Sequence, residues 1–405
     1  MSIRLFFMRR SRRALIASVL GFAILVTGVA LAPAYAVPSY PTWAEVDEAR
    51  KNVAKKKALI EKLEKIIEEL EVEADRLGDE ALIKGEIFNQ AQDEVDAITV
   101  KVNSLQQQAD EATNQAALAK QQLGQIAAQM YRDGSGGTAL NLFLNSGEAD
   151  DLLYQLGAQE KLAQQNDVIY QRSVEKQQYA EAVTAELSDA KADLDAKAAV
   201  AKKAFKEAKA AAAAVQAKVD ENEALNRTMF SQLARLRNTA ADLERQRAEG
   251  LAAERRQSAG TSAPIAPELY DVGPPDERKV NIAIDFAREQ LGERYVLGGM
   301  GPNVWDCSGI TKASYAAAGI YLGTHSATNQ FRTAAARKQL IPLSQIQPGD
   351  LIWWSREAAF DGDKYHVAIA LGGGMMLEAP NPARTVRIVP IRWGEMFRYA
   401  GRPSA

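Results

Sequence analysis

The chain of 405 residues holds one cysteine, Cys307, and two histidines, His325 and His366. A thiol and an imidazole suffice for nucleophilic attack on an acyl group. The imidazole takes the thiol proton, the thiolate attacks, and the imidazolium returns a proton to the leaving group. Cys307 follows Asp306 and precedes Ile310, Ser314, Tyr315 and Ala318 at helical spacing, with Gly319 stopping the run. This pattern predicts a helix with Asp306 as its N-cap and Cys307 in its first turn. The unpaired amide hydrogens of a helix start favour a thiolate over a thiol. His366 stands in the apolar alternating stretch 365–371. That stretch predicts a core strand, which holds a base rigidly. Glu378 lies on the next apolar segment, past Gly372-Gly373-Gly374. Two adjacent antiparallel strands would set its carboxylate beside His366, where it orients the ring and favours the imidazolium. His325, in the polar run 324–330, reads as a surface-loop residue or as a substrate-side residue. One cysteine and two distant histidines fit no ligand spacing, so neither a metal nor another cofactor is expected.

The strings Asp306-Cys307-Ser308-Gly309, Gln347-Pro348-Gly349-Asp350-Leu351 and His366-Val367-Ala368-Ile369 stand in this order. Over residues 277–402 they resemble the NlpC-type cell-wall cysteine peptidases. The resemblance implies a papain-like α+β fold and hydrolysis of the bond between D-glutamate and a diamino acid in peptidoglycan stem peptides. It makes Cys307 the nucleophile, His366 the base and Glu378 the orienting residue. It also implies that Tyr295 and Ser308 hold the peptide, that His325 matches a position near the cleft, and that the Cys307 N–H helps stabilise the oxyanion. Two positions depart from the family pattern. Many relatives carry a histidine where Glu378 stands, and the usual tryptophan after Tyr295-Val296 is Leu297. An amidase or acyltransferase on the same scaffold, and a non-catalytic wall-binding activator of another hydrolase, are the alternatives.

The elements that would position these groups fall in residues 277–405, where tryptophans, glycines and short alternating runs replace Ala, Glu, Lys and Gln. Trp353 and Trp354 are adjacent in a strand pattern, so one is expected in the core and the other at the rim. Asp350 is expected to fix a turn. Arg384, Arg387 and Arg392 read as a solvated basic face or as partners of substrate carboxylates.

Ahead of that domain, apolar residues step three then four from Ile60 through Leu63, Ile67, Leu70, Ala74, Leu77 and Ala81 to Met130, with Lys84 as the one charged exception. A second run follows from about residue 160 to 257, with Val183, Leu187, Ala190, Leu194, Ala201 and Ala204 in register. A sustained heptad seam needs a partner helix. Residues 37–257 are therefore expected to form a long antiparallel α-helical coiled-coil hairpin with a short-helix tip near 133–157, although an intermolecular coil explains the same stripe. Residues 258–276 gain proline and glycine and read as a linker.

The chain opens with five arginines, an apolar stretch from Ala14 to Ala32, and Ala34-Tyr35-Ala36. Residues 1–36 thus read as an export signal, by the Sec or twin-arginine route, with an uncleaved anchor as the alternative. Their removal takes five arginines and no acid, so the formal net charge moves from −3 to −8. So acidic a product excludes electrostatic attachment to nucleic acid. The order of signal, coil and catalytic domain resembles the actinobacterial Rip-type endopeptidases. That implies a secreted protein at the outer face of the plasma membrane, a role in cell division, and docking of the coil on a membrane partner such as the extracellular part of FtsX. The length of the hairpin also suggests that it covers the cleft until it docks.

Overall fold

The computed structural model describes residues 41–132, 149–258 and 263–405. The predicted export signal and most of the predicted tip lie outside them. A short helix α1 (Trp43–Ala49) leads into α2 (Val53–Arg132), and α3 (Ala149–Arg237) returns along it. At about 1.5 Å per residue, the 80 residues of α2 span roughly 120 Å. Val102, Leu105 and Ala109 of α2 close on Val183, Leu187 and Ala190 of α3. Nearer the base Ala91 meets Ala201 and Ala204, and the rings of Phe88 and Phe205 lie 5.1 Å apart. Lys84–Glu207 at 3.1 Å and Glu94–Lys197 at 2.9 Å fix the same antiparallel register. The heptad seam is thus buried within one chain.

The second helical run is not continuous. Asn238 adopts φ 56°, ending α3, and α4 (Ala241–Ser258) folds back along the base of the hairpin. Arg237 holds the corner by pairing with Glu244 of α4 and with Glu64 of α2 at 2.7 Å. Heptad counting passes over this break because α4 keeps helical composition.

Residues 263–276 contain neither helix nor strand, yet they pack on the following domain. Ala263, Ala266, Tyr270 and Val272 lie against its core. The Gly273 carbonyl accepts from Arg402, and the Asp276 N–H donates to the Ser404 carbonyl.

The C-terminal part is α+β. Helix α5 (Glu277–Glu289) is capped by Asp276 and packs on α6 (Cys307–Ala317). The pair β1 (Arg294–Tyr295) and β2 (Val304–Trp305) precedes α6, and α7 (Ala327–Ala336) follows it. Then come β3 (Leu340–Pro342), β4 (Leu351–Trp354), β5 (His366–Gly372), β6 (Met375–Glu378), β7 (Arg387–Pro390) and β8 (Met396–Gly401). They form one antiparallel sheet in the order β3-β8-β4-β5-β6-β7. Trp353 and Trp354 are both fully buried, which corrects the expectation of one rim residue. Trp353 lies edge-on to Phe331 of α7, while Trp354 lies tilted against His366 beneath the Arg392 guanidinium, so both faces of β4 are covered.

Candidate active site

Asp306 caps α6 as its sequence predicts, accepting the Gly309 N–H at 2.7 Å, and this sets Cys307 on the first turn. Gly309 is needed there because α6 runs against the backbone before β2. A Cβ at this position would lie 2.0 Å from the Gly299 carbonyl oxygen. Gly309→Ala is therefore expected to lower stability by about 3 kcal/mol, since the clash is with main chain and no rotamer relieves it. Thermal unfolding of the purified variant measures this, and an unchanged midpoint would refute it.

Cys307 is 5% exposed, on a helix that packs against β5. Val367 follows His366 at the start of β5. Burial pushes the thiol well above its ordinary pKa, and the charges of Asp306 and Glu86 push it further, while the backbone of Val367 acts to lower it. His366 is fully buried, and its Nε2 lies 2.8 Å from Glu378 Oε2. With Nε2–H donated to the carboxylate, the lone pair falls on Nδ1, which is buried and has no hydrogen-bond partner. Burial lowers the His366 pKa against the opposing bond from Glu378. In this state the pair is a thiol and a neutral imidazole.

Glu378 does more than the sequence suggests. Arg387 donates to Oε1 from Nε at 3.0 Å and from a terminal nitrogen at 2.7 Å, while Arg392 donates to Oε2 at 2.6 Å. Burial alone would raise this carboxyl, but Arg392, Arg387 and the His366 bond hold it well below the usual range. The structure thus joins His366 to Glu378, sets Arg387 and Arg392 around that carboxylate, and packs the helix that carries Cys307 on β5, the strand of His366. Neither arginine belongs to a solvated face. Arg384 is turned elsewhere and pairs with Asp75 of α2 at 2.9 Å.

The predicted peptide-holding residues Tyr295 and Ser308 are both buried. Tyr295 is 6% exposed, and Ser308 is fully buried with its Oγ donating to Asp306 at 3.2 Å. His325 is neither a free surface residue nor the base, because its Nε2 lies 2.7 Å from Asp306 Oδ1. Burial works against its charge, but Asp306 raises its pKa overall. Asp350 accepts the Gln347 N–H and the Nε and one terminal nitrogen of Arg402, which fixes the turn into β4. Among the described residues no cluster of His, Cys, Asp and Glu could hold a metal, and no helix is long and apolar enough to cross a membrane.

One set of site residues was not foreseen. Helix α2 lays a second stripe on the domain, rotated from the heptad seam and recurring at helical spacing. Gly78 and Gly85 let the helix come close, since a Cβ would fall 2.4 Å from Asn381 and 2.9 Å from Leu297. Leu82 is 2% exposed and belongs to the hydrophobic core of the domain. Glu86 accepts from Ser326 Oγ, Ala327 N–H and Thr328 N–H at 2.6, 2.9 and 3.1 Å. Asn89 reaches Asp306 and Ser308 at 3.4 and 3.5 Å, and Gln90 donates to Thr328 Oγ1 at 3.2 Å. Asp93 accepts the Thr324 hydroxyl. Beside His325 a cavity of about 620 Å³ separates α2 from the domain, between Phe88, Asp93, Phe205, Met300 and Tyr321.

Fold and site together define a class: an α+β domain whose helix-borne cysteine packs on a strand carrying a histidine, with the partner carboxylate on the next strand. Residues 292–400 match the family model described as the NlpC/P60 family, so the chain carries an NlpC/P60 domain. It is 38% identical over 104 residues to the peptidoglycan endopeptidase RipA of Mycobacterium tuberculosis, a match covering 26% of this chain and 20% of that protein. It is 32% identical over 119 residues to the gamma-D-glutamyl-L-lysine dipeptidyl-peptidase of Bacillus cereus, covering 29% and 34% respectively. The crystal structure of the NlpC/p60 domain of the peptidoglycan hydrolase SagA is 32% identical, with 30% of this chain and 97% of that chain covered and a TM-score of 0.26. The chain spans between a fifth and a third of the length of these two curated relatives.

Proposed function

We propose that this protein is an exported peptidoglycan endopeptidase that cuts the D-glutamyl–diamino acid bond of stem peptides by a Cys307–His366–Glu378 thiol mechanism. The observation that carries the reading is the buried imidazole, bound at Nε2 by Glu378 and left open at Nδ1 on the strand against which the helix of Cys307 packs. His366 Nδ1 takes the thiol proton, and the sulfur attacks the amide carbon. The oxyanion is met by the Cys307 N–H at the start of α6. Collapse breaks the C–N bond as His366 returns the proton to the amine, and water then cleaves the thioester with His366 again as base. Glu378 keeps the ring in the tautomer that exposes Nδ1 and supports its cationic form. The bond assignment draws on the name of the Bacillus cereus relative and on the family resemblance.

The contacts of the α2 stripe with Asp306, Ser308 and the start of α7 support a closed, self-inhibited state as part of this reading. The hairpin then places the enzyme, docking on a membrane partner such as the extracellular part of FtsX during cell division.

The test is mass spectrometry of stem peptides treated with the full chain carrying an opening substitution in α2. New termini at D-glutamate and at the diamino acid are expected. Cleavage at the sugar–peptide junction would point to an amidase, and transfer without hydrolysis to an acyltransferase.

A further inference from the structure

The most unusual group outside the catalytic cluster is Glu86. It is 4% exposed, it belongs to α2, and its carboxylate ends on the first turn of α7. Its acceptors are filled by Ser326 Oγ, the Ala327 and Thr328 N–H groups, and Gln90 Nε2 at 3.2 Å from its own helix. A cap for α7 does not require it. Ser326 already caps the helix by accepting the Asn329 N–H at 3.0 Å, and its hydroxyl hydrogen turns outward to Glu86. Without Glu86 the helix would keep that cap but leave the Ala327 and Thr328 N–H groups open, so the cradle takes an anion, here a carboxylate delivered from another part of the chain. Burial pushes the Glu86 pKa up to about 7, as expected for an acid held among neutral donors without a cationic partner. Asn89, one turn on along α2, reaches Asp306 and Ser308, the two neighbours of Cys307, so the cradle lies near the nucleophile.

A γ-linked glutamyl residue, of the kind named for the Bacillus cereus relative, keeps its α-carboxylate free close to the scissile amide. We propose that Glu86 is a tethered mimic of that carboxylate, and that the cradle of Ser326, Ala327 and Thr328 is the subsite that the glutamyl α-carboxylate enters when α2 leaves. The inference rests on the peptidase reading for the identity of the ligand, but the anion cradle stands on its own geometry. It makes the closed hairpin a competitor of the substrate at one defined point, beyond its bulk over the cleft.

The experiment uses the full chain with Glu86→Ala and Glu86→Gln. The probes are D-glutamate γ-methylamide, which carries the γ-amide and the free α-carboxylate, and its α-carboxamide analogue. Binding is followed by calorimetry. The wild-type chain is expected to bind neither probe. Glu86→Ala is expected to bind the acid about tenfold more tightly than the amide, the gain of a charge-assisted set of hydrogen bonds over neutral ones. Glu86→Gln, which keeps the volume and one acceptor, is expected to fall between. Equal binding of acid and amide by Glu86→Ala, or binding of neither, overturns the proposal. If the acid binds selectively while no variant cuts a stem peptide, the cradle stands and the peptidase reading falls.

Discussion

Cys307→Ala removes stem-peptide cleavage by a factor on the order of 10⁴ or more. It does so without unfolding the domain. The side chain is small, and it leaves Asp306 free to cap α6 through the Gly309 N–H. Because the proposed self-inhibition would suppress the wild type as well, the comparison belongs on a background in which α2 has been released. Turnover is read by chromatography of the products. His366→Ala is expected to cost a similar factor, and the double substitution hardly more than either single one, because nucleophile and base act as one unit. Additive losses would mean that the two residues do not share a step. Glu378→Gln stands apart. It weakens the orientation of His366, but it also strips Arg387 and Arg392 of their common anion. A loss of stability should therefore accompany the fall in rate. Unfolding in denaturant separates the two effects.

The parts of the site that were legible in the sequence are those set by local chemistry. Asp306 and the helical spacing after Cys307 fix where α6 starts, whatever lies around it. Three glycines after an apolar run fix a tight return between β5 and β6, and the return carries Glu378 to His366. What stayed hidden depends on contacts between distant segments. Arg387 lies opposite Glu378 in the β6–β7 register, and Arg392 comes from the loop beyond β7. In the sequence they are only scattered basic residues. The α2 stripe was hidden for a different reason. Asp75, Glu86, Asn89 and Asp93 are polar residues between heptad positions, where a helix normally meets water, and partners more than two hundred residues away decide their burial. Leu82 was the available signal. It is a large apolar residue one step off the seam, and a coiled coil alone gives it nothing to touch.

Leu82→Ala should accordingly raise the activity of the full chain. The side chain leaves α2 and enters the core shared by Tyr295, Trp305 and Cys307, so its burial favours the closed state directly. Truncating such a leucine removes about 2–3 kcal/mol. If closure depends on that contact, the open fraction grows about 30- to 150-fold until it saturates. Alkylation of Cys307 by iodoacetamide should accelerate by the same factor, independently of any substrate. The electrostatic contact farther along offers a smaller handle. Asp75 and Arg384 are each about one-third exposed, so reversing Asp75 to arginine should shift the balance by no more than about 1 kcal/mol, and reversing both partners should restore it. Leu118→Ala is the control. It lies on the same helix at 60% exposure, and it should leave alkylation and turnover unchanged. Equal alkylation of the wild type and Leu82→Ala would remove the hairpin as an inhibitor. An increase in alkylation without an increase in turnover would leave the latch in place and shift the question to the chemistry at Cys307. The two readouts separate because the thiol is exposed by the departure of α2, whereas hydrolysis also needs the imidazole that Glu378 and its two arginines hold in place.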